Sequence, residues 1–99
     1  MSDFVYIIGN NDDLIKVGIS KNPTKRVKQL QTGNGQKLTL LFTEKFECTR
    51  QELLKIEKKI HSDLSHLCTK KVGEWFKINS DILDRIKNTI IWHRIRYDN

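Results

Sequence analysis

Phe4-Val5-Tyr6-Ile7-Ile8 and Leu14-Ile15-Lys16-Val17-Gly18-Ile19-Ser20 enclose the turn-forming stretch Gly9-Asn10-Asn11-Asp12-Asp13. Both arms are rich in β-branched residues, and Gly, Asn and Asp between them supply turn chemistry, so the segment reads as a β-hairpin. Side chains alternate between the two faces of a strand, so register can be tested on paper. Pairing Tyr6 with Lys16 sets Val5 against Val17, Ile7 against Ile15 and Ile8 against Leu14. One face is then wholly aliphatic, and Tyr6, Lys16, Phe4 and Gly18 share the other. A slip of one residue would mix the faces. The expected register therefore makes Tyr6 and Lys16 neighbours.

Reading onward, Asn22 is a good N-cap and Pro23 suits the first helical position. A helix is expected through Leu30, ending before Gly33, followed by the loop Thr32–Gln36. Leu38–Phe46 alternates as a third strand. Thr49-Arg50-Gln51-Glu52 has the form of a capping box. It opens a helix from about Arg50 to Ser65, with Leu53, Ile56, Ile60 and Leu64 as its buried stripe. Glu74–Ile78 reads as a fourth short strand. Asn79 or Ser80 caps a last helix that turns Ile82, Leu83, Ile86, Ile90 and Ile91 inward. The order is β-β-α-β-α-β-α: an α+β fold, a small, mostly antiparallel sheet flanked by helices, in a single domain spanning residues 1–99.

Composition narrows the function classes. With 37% hydrophobic and 30% charged residues, the chain has the balance of a globular protein and not of a disordered one. No apolar run approaches the roughly 20 residues of a membrane span, so no membrane role is expected. Met1-Ser2-Asp3 lacks the features of a secretory signal. An intracellular setting is expected: the cytoplasm of a bacterium or of an infected host cell, or a nucleus. The net charge of +6, from 18 basic against 12 acidic residues, favours a polyanionic partner, most simply nucleic acid. Cys48 and Cys68 are too few for a disulfide framework. His61, His66 and Cys68 lie close in sequence but lack the paired spacing of a zinc site, and their plain reading is a free thiol and surface histidines.

These motifs, taken in order, resemble the GIY-YIG nuclease superfamily. Phe4-Val5-Tyr6 stands for the first signature and Lys16-Val17-Gly18 for the second. The likeness is greatest to a short phage-type branch, in which the second signature often begins with lysine and a Gly-Glu-Trp-Phe segment closes the domain, as Gly73-Glu74-Trp75-Phe76 does here. The resemblance runs from about Phe4 to Ile78. It implies a metal-dependent DNA endonuclease acting on duplex or branched DNA, with Mg2+ as cofactor and Mn2+ able to substitute. The signature tyrosine, here Tyr6, would be the general base or align the attacking water. The helix arginine falls on Arg26 and the metal-binding glutamate on Glu57.

Residue chemistry supports these assignments. Tyrosine ionises near pH 10, so a base role needs a neighbouring cation, and Lys16 on the same face is the candidate. Lys16 replaces the second tyrosine of the better-known pattern. It is either an electrostatic aid or a sign that efficient cleavage has been lost, and its bland alternative is an exposed strand lysine. Gly18 lets a phosphate come close, or simply kinks the strand. Arg26 can run its stem along the core edge and present its fork to phosphate. Lys21, Lys25 and Lys28 form a phosphate-attracting surface.

Glu57 lies roughly 50–60° from the centre of its helix's apolar stripe, which aims it at the sheet edge. One carboxylate with waters and substrate phosphate suits magnesium. The alternative is a surface glutamate paired with Lys58 or His61. His61, one turn on, could touch the scissile phosphate or a metal-bound water. Glu74 is the second-choice carboxylate, and Asn79 stands without a motif match for the family's late asparagine. Trp92-His93-Arg94-Ile95-Arg96-Tyr97 mixes basic and aromatic residues; Arg94 and Arg96 would grip a nucleic-acid backbone, or the helix merely packs there. Two other functions remain open on the same scaffold: a non-cleaving nucleic-acid-binding module, and a phage-type modulator that binds protein.

Overall fold

A computed structural model describes residues 3–68 and 70–98, the last two without their side chains, which leaves the Tyr97 ring of the basic-aromatic stretch outside the described residues. The elements are β1 (Asp3–Gly9), β2 (Leu14–Ser20), α1 (Pro23–Thr32), β3 (Thr39–Phe46), α2 (Arg50–Leu67), β4 (Lys71–Val72), β5 (Trp75–Lys77) and α3 (Ser80–Asp98). The five strands form one sheet in the order β3-β1-β2-β5-β4, and every pairing is antiparallel. This is the α+β class that the patterning predicts, with one strand more.

The extra strand comes from the closing segment. Lys71 pairs with Phe76 and Val72 with Trp75, leaving Gly73-Glu74 as a two-residue turn. Gly73 has φ +60 and Glu74 does not share the positive φ, the pattern of a type II′ turn that begins with glycine. Glu74 is therefore not the first residue of a strand. It stands at the tip of a hairpin, 74% exposed.

The first hairpin also differs from the paper register. Tyr6 faces Gly18, Ile7 faces Val17 and Ile8 faces Lys16, two residues away from the expected pairing. The loop explains the shift. Asn10 still belongs to the ladder: its N–H donates to Leu14 O at 3.1 Å. Its side-chain oxygen accepts from the N–H groups of Asp12 and Leu14 at 2.9 and 3.2 Å. Asp13 takes the left-handed conformation at φ 57, which Asp tolerates better than most residues. A three-residue loop thus replaces the expected five-residue one. A shift of two preserves the faces, so the aliphatic face is correctly placed while the partners are not.

The two faces bury different layers. Val5, Ile7, Ile15 and Val17 pack with Phe46, Phe76, the α2 stripe Leu53, Ile56, Ile60 and Leu64, and Ile86 and Ile90 of α3. All four α2 residues are at most 1% exposed; burial of each contributes on the order of 1.5–3 kcal/mol. On the opposite face Tyr6, Ile8 and Leu38 pack with Val27 and Leu30 of α1 and with Trp75. The sheet therefore lies between α1 and the α2/α3 pair.

The helix starts follow the expected local chemistry. Asn22 Oδ1 accepts from Lys25 N at 3.1 Å. Thr49 Oγ1 accepts from Glu52 N at 3.1 Å and its hydroxyl donates to Glu52 Oε1 at 3.0 Å, so the glutamate caps the threonine side chain instead of its backbone N–H. Asn79 Oδ1 accepts from Ile82 N at 2.9 Å. Burial raises the Cys68 thiol above its usual range. Among the described residues no helix is long and apolar enough to cross a membrane.

Candidate active site

The site forms where the sheet runs out. Among the described residues β5 pairs with β2 only at Leu14 and Ile15, and the outer edge of β2 from Val17 onward has no strand beside it. Around this edge lies a cleft of about 470 Å³. α1 reaches it from one face of the sheet with Arg26, and α2 from the other with Arg50, Glu57 and His61. Tyr6, Lys16, Gly18, Lys21 and Glu74 complete the polar lining. The fold thus brings together all five residues read as catalytic: Tyr6, Lys16, Arg26, Glu57 and His61.

Tyr6 is 2% exposed and its ring lies across Gly18. A Cβ at Gly18 would fall 2.6 Å from Tyr6 Cζ and closer still to Oη. Gly18, which also lines the cleft, therefore makes room for the tyrosine ring. His61 spans the open edge: Nε2 lies 2.8 Å from Val17 O. A carbonyl can only accept, so Nε2 carries the hydrogen and Nδ1 remains for other partners. The ring also packs at 60° against Phe76, with centroids 5.9 Å apart.

Lys16 does not stand opposite Tyr6 as expected. It faces Ile8, and its ammonium, on a side chain only 15% exposed, pairs with the Glu74 carboxylate. The hydrogen bond and charge of Lys16 hold the Glu74 carboxyl below the usual carboxylate range, with smaller help from His61 and Arg26 against a slight desolvation. Sequence reading placed Glu74 second among carboxylates; the structure makes it the counter-ion of Lys16 at the cleft wall. Arg50 was visible only as part of a capping box. Its Nη1 lies 3.0 Å from Oδ2 of Asp3, whose side chain is 7% exposed.

Other candidates lie elsewhere. Lys25 and Lys28 are exposed on α1 outside the cleft lining. Arg94 pairs with Glu44 on β3 at 2.8 Å, and Arg96 stacks over Trp92 at 4.7 Å on α3. Asn79 caps α3 and lines a separate apolar cleft with Gly9, Leu41 and Leu83. His66 turns away from His61, with Nδ1 2.8 Å from Ser62 O.

The donor set limits the kind of metal that fits. Among the described residues no three His, Cys, Asp or Glu side chains converge as a cage. Half-buried Glu57 lines the cleft and makes no side-chain hydrogen bond or ion pair among the described residues. A single uncommitted carboxylate suits a hard cation that keeps most of its water, as magnesium does, and does not suit a zinc-type cage. No curated protein and no solved structure matches the chain. The T5orf172 domain family matches residues 3–91, which takes in every element from β1 through most of α3, and the chain belongs to this phage-associated family.

Proposed function

We propose that the chain is a metal-dependent DNA endonuclease of the GIY-YIG type, working in the cleft at the β2 edge. One observation carries the reading. Arg26 and Glu57 bring opposite charges into the same cleft beside Tyr6, yet neither side chain makes a hydrogen bond or ion pair among the described residues. Charges held apart in a cleft are free for a ligand that carries both phosphate and a cation. Membership of a phage-associated, nuclease-like family and the +6 charge point the same way.

The chemistry follows from the lining. Hydrolysis adds a water oxygen to phosphorus and breaks the bond to the leaving sugar oxygen. The phenol oxygen of Tyr6 orients that water or takes its proton. The Arg26 fork donates to the non-bridging oxygens as negative charge builds on them. Glu57 would hold the magnesium, whose positive charge stabilises the phosphate and the leaving oxygen when it is bound. His61, with Nε2 donating to Val17 O, leaves Nδ1 as an acceptor for a water.

A second reading, a non-cleaving nucleic-acid-binding module, has support in the same lining, because Lys16 is already neutralised by Glu74 and only one carboxylate is uncommitted. Incubation of supercoiled plasmid and branched DNA with Mg2+, with Mn2+ and with chelator separates the two. Nicking that needs the metal is expected. Glu57→Gln should abolish it with little change in melting temperature or DNA affinity, and Arg26→Ala should slow turnover by roughly two orders of magnitude. DNA binding without cleavage under every condition would establish the second reading, and equal activity of Glu57→Gln and the parent would falsify the metal role.

A further inference from the structure

Arg50, Glu57 and His61 stand at positions i, i+7 and i+11 of α2, which places them within about 40° of one another around the helix. All three line the cleft. The cleft therefore follows one stripe of α2, and Arg50 lies about 10 Å along the axis from Glu57, at 1.5 Å per residue. Successive phosphates of one strand of B-form DNA rise about 3.4 Å but also wind round the axis, so their through-space spacing is about twice the rise and this separation corresponds to about one or two phosphates.

The Arg50 guanidinium is held, not free to wander. Nη1 bonds Oδ2 of Asp3 at 3.0 Å, the Asp3 side chain is 7% exposed, and Arg50 itself is 50% exposed. The other oxygen of Asp3, Oδ1, is buried and has no hydrogen-bond partner among the described residues. Burying a carboxylate that is only half satisfied is a poor way to stabilise a fold. It is a good way to fix a guanidinium that lines the cleft and has N–H groups beyond the one bonded to Asp3.

We infer that Arg50, anchored by Asp3, forms a second phosphate subsite, which takes a backbone phosphate about one or two nucleotides from the one cut beside Glu57. This rests on the nuclease reading of the cleft and adds to it a preference for polynucleotide over an isolated phosphodiester. The subsite lies on the α2 side of the β2 edge, so it contacts backbone and carries no base specificity.

The test compares the parent with Arg50→Gln on a duplex oligonucleotide. Binding is measured by anisotropy in chelator across a salt series. Arg50→Gln should bind about tenfold more weakly, with a salt slope shallower by about one phosphate contact. Asp3→Asn combined with Arg50→Gln, which leaves no buried unpaired charge, should show the same slope and so exclude misfolding. With Mg2+ present, a single neutral methylphosphonate linkage should suppress cutting both at itself and about one or two nucleotides away. Arg50→Gln should lose only the distant effect. An unchanged salt slope, or a loss of sensitivity spread over every linkage, would overturn the subsite. If the parent binds DNA but never cuts it, the nuclease reading fails while the salt slopes still decide Arg50. If it binds no polynucleotide, both fall.

Discussion

Replacing Gly18 by alanine tests whether the second signature exists to seat Tyr6. Gly18 does not occupy the left-handed region, so the substitution introduces contact and not backbone strain. The new Cβ would sit 2.6 Å from Tyr6 Cζ and 3.0 Å from Cε2. Carbon atoms rest about 3.5–4.0 Å apart, so the ring must retreat by about 1 Å. It has little room, because Tyr6 is 2% exposed and packs with Ile8, Leu38, Val27 and Leu30. Overpacking of this size costs about 1–3 kcal/mol, offset by about 0.5–1 kcal/mol for removing a glycine from a strand. The net loss should be about 0.5–2 kcal/mol, read from urea denaturation. Nicking should fall by up to about 10²-fold, because a shift near 1 Å misplaces the phenol. In a Tyr6→Ala background the contact is gone, and Gly18→Ala should then be neutral or mildly stabilising. A coupling energy of about 1–3 kcal/mol between the two sites is the signature. Additive effects in that cycle, with the Gly18→Ala protein fully active, would show that glycine serves something other than the tyrosine ring.

Glu74→Gln removes a negative charge from the cleft wall and frees Lys16, so DNA affinity should rise several-fold, and adding Lys16→Met should cancel the gain; anisotropy titrations report both. Because Lys16 holds the Glu74 carboxyl below its usual range, the gain should persist unchanged from pH 8 down to about pH 5, and a gain that fades across this window would contradict the pairing. His93 is 8% exposed, and burial lowers its pKa, with Lys59 and Arg96 acting in the same direction against Asp63. The unfolded chain therefore takes up that proton first as pH falls below about 6.5, and stability should drop with acid until the folded protein is protonated too. His93→Leu should flatten the dependence of urea midpoints between pH 7 and 5, and an unaltered slope would assign the acid sensitivity to other groups.

What could be read from the chain before folding was local. Alternation in Phe4–Ile8 and Leu14–Ser20, the caps at Asn22 and Thr49, and the α2 stripe each depend on residues within one or two turns, where period and propensity act directly. The resemblance to a nuclease family named Tyr6, Arg26 and Glu57, and the patterning placed the correct faces together. It misplaced the ladder by two residues, because register depends on how Asn10 and Asp13 close the loop, and both registers bury the same aliphatic face. Gly73-Glu74 was legible as a motif but not as a turn, since a hairpin only two residues deep on one side carries almost no periodicity.

The partners of the site were out of reach for a different reason. Lys16 meets Glu74 across 58 residues, Arg50 meets Asp3 across 47, and His61 meets Val17 across 44. No local preference encodes such pairs. They arise because α2 packs against β1 and β2, and the β4–β5 turn is carried to the end of β2 by its pairing with β5. Hydrophobic burial fixes that arrangement without direction, and the charged side chains then take whichever partners the packed layers bring within reach.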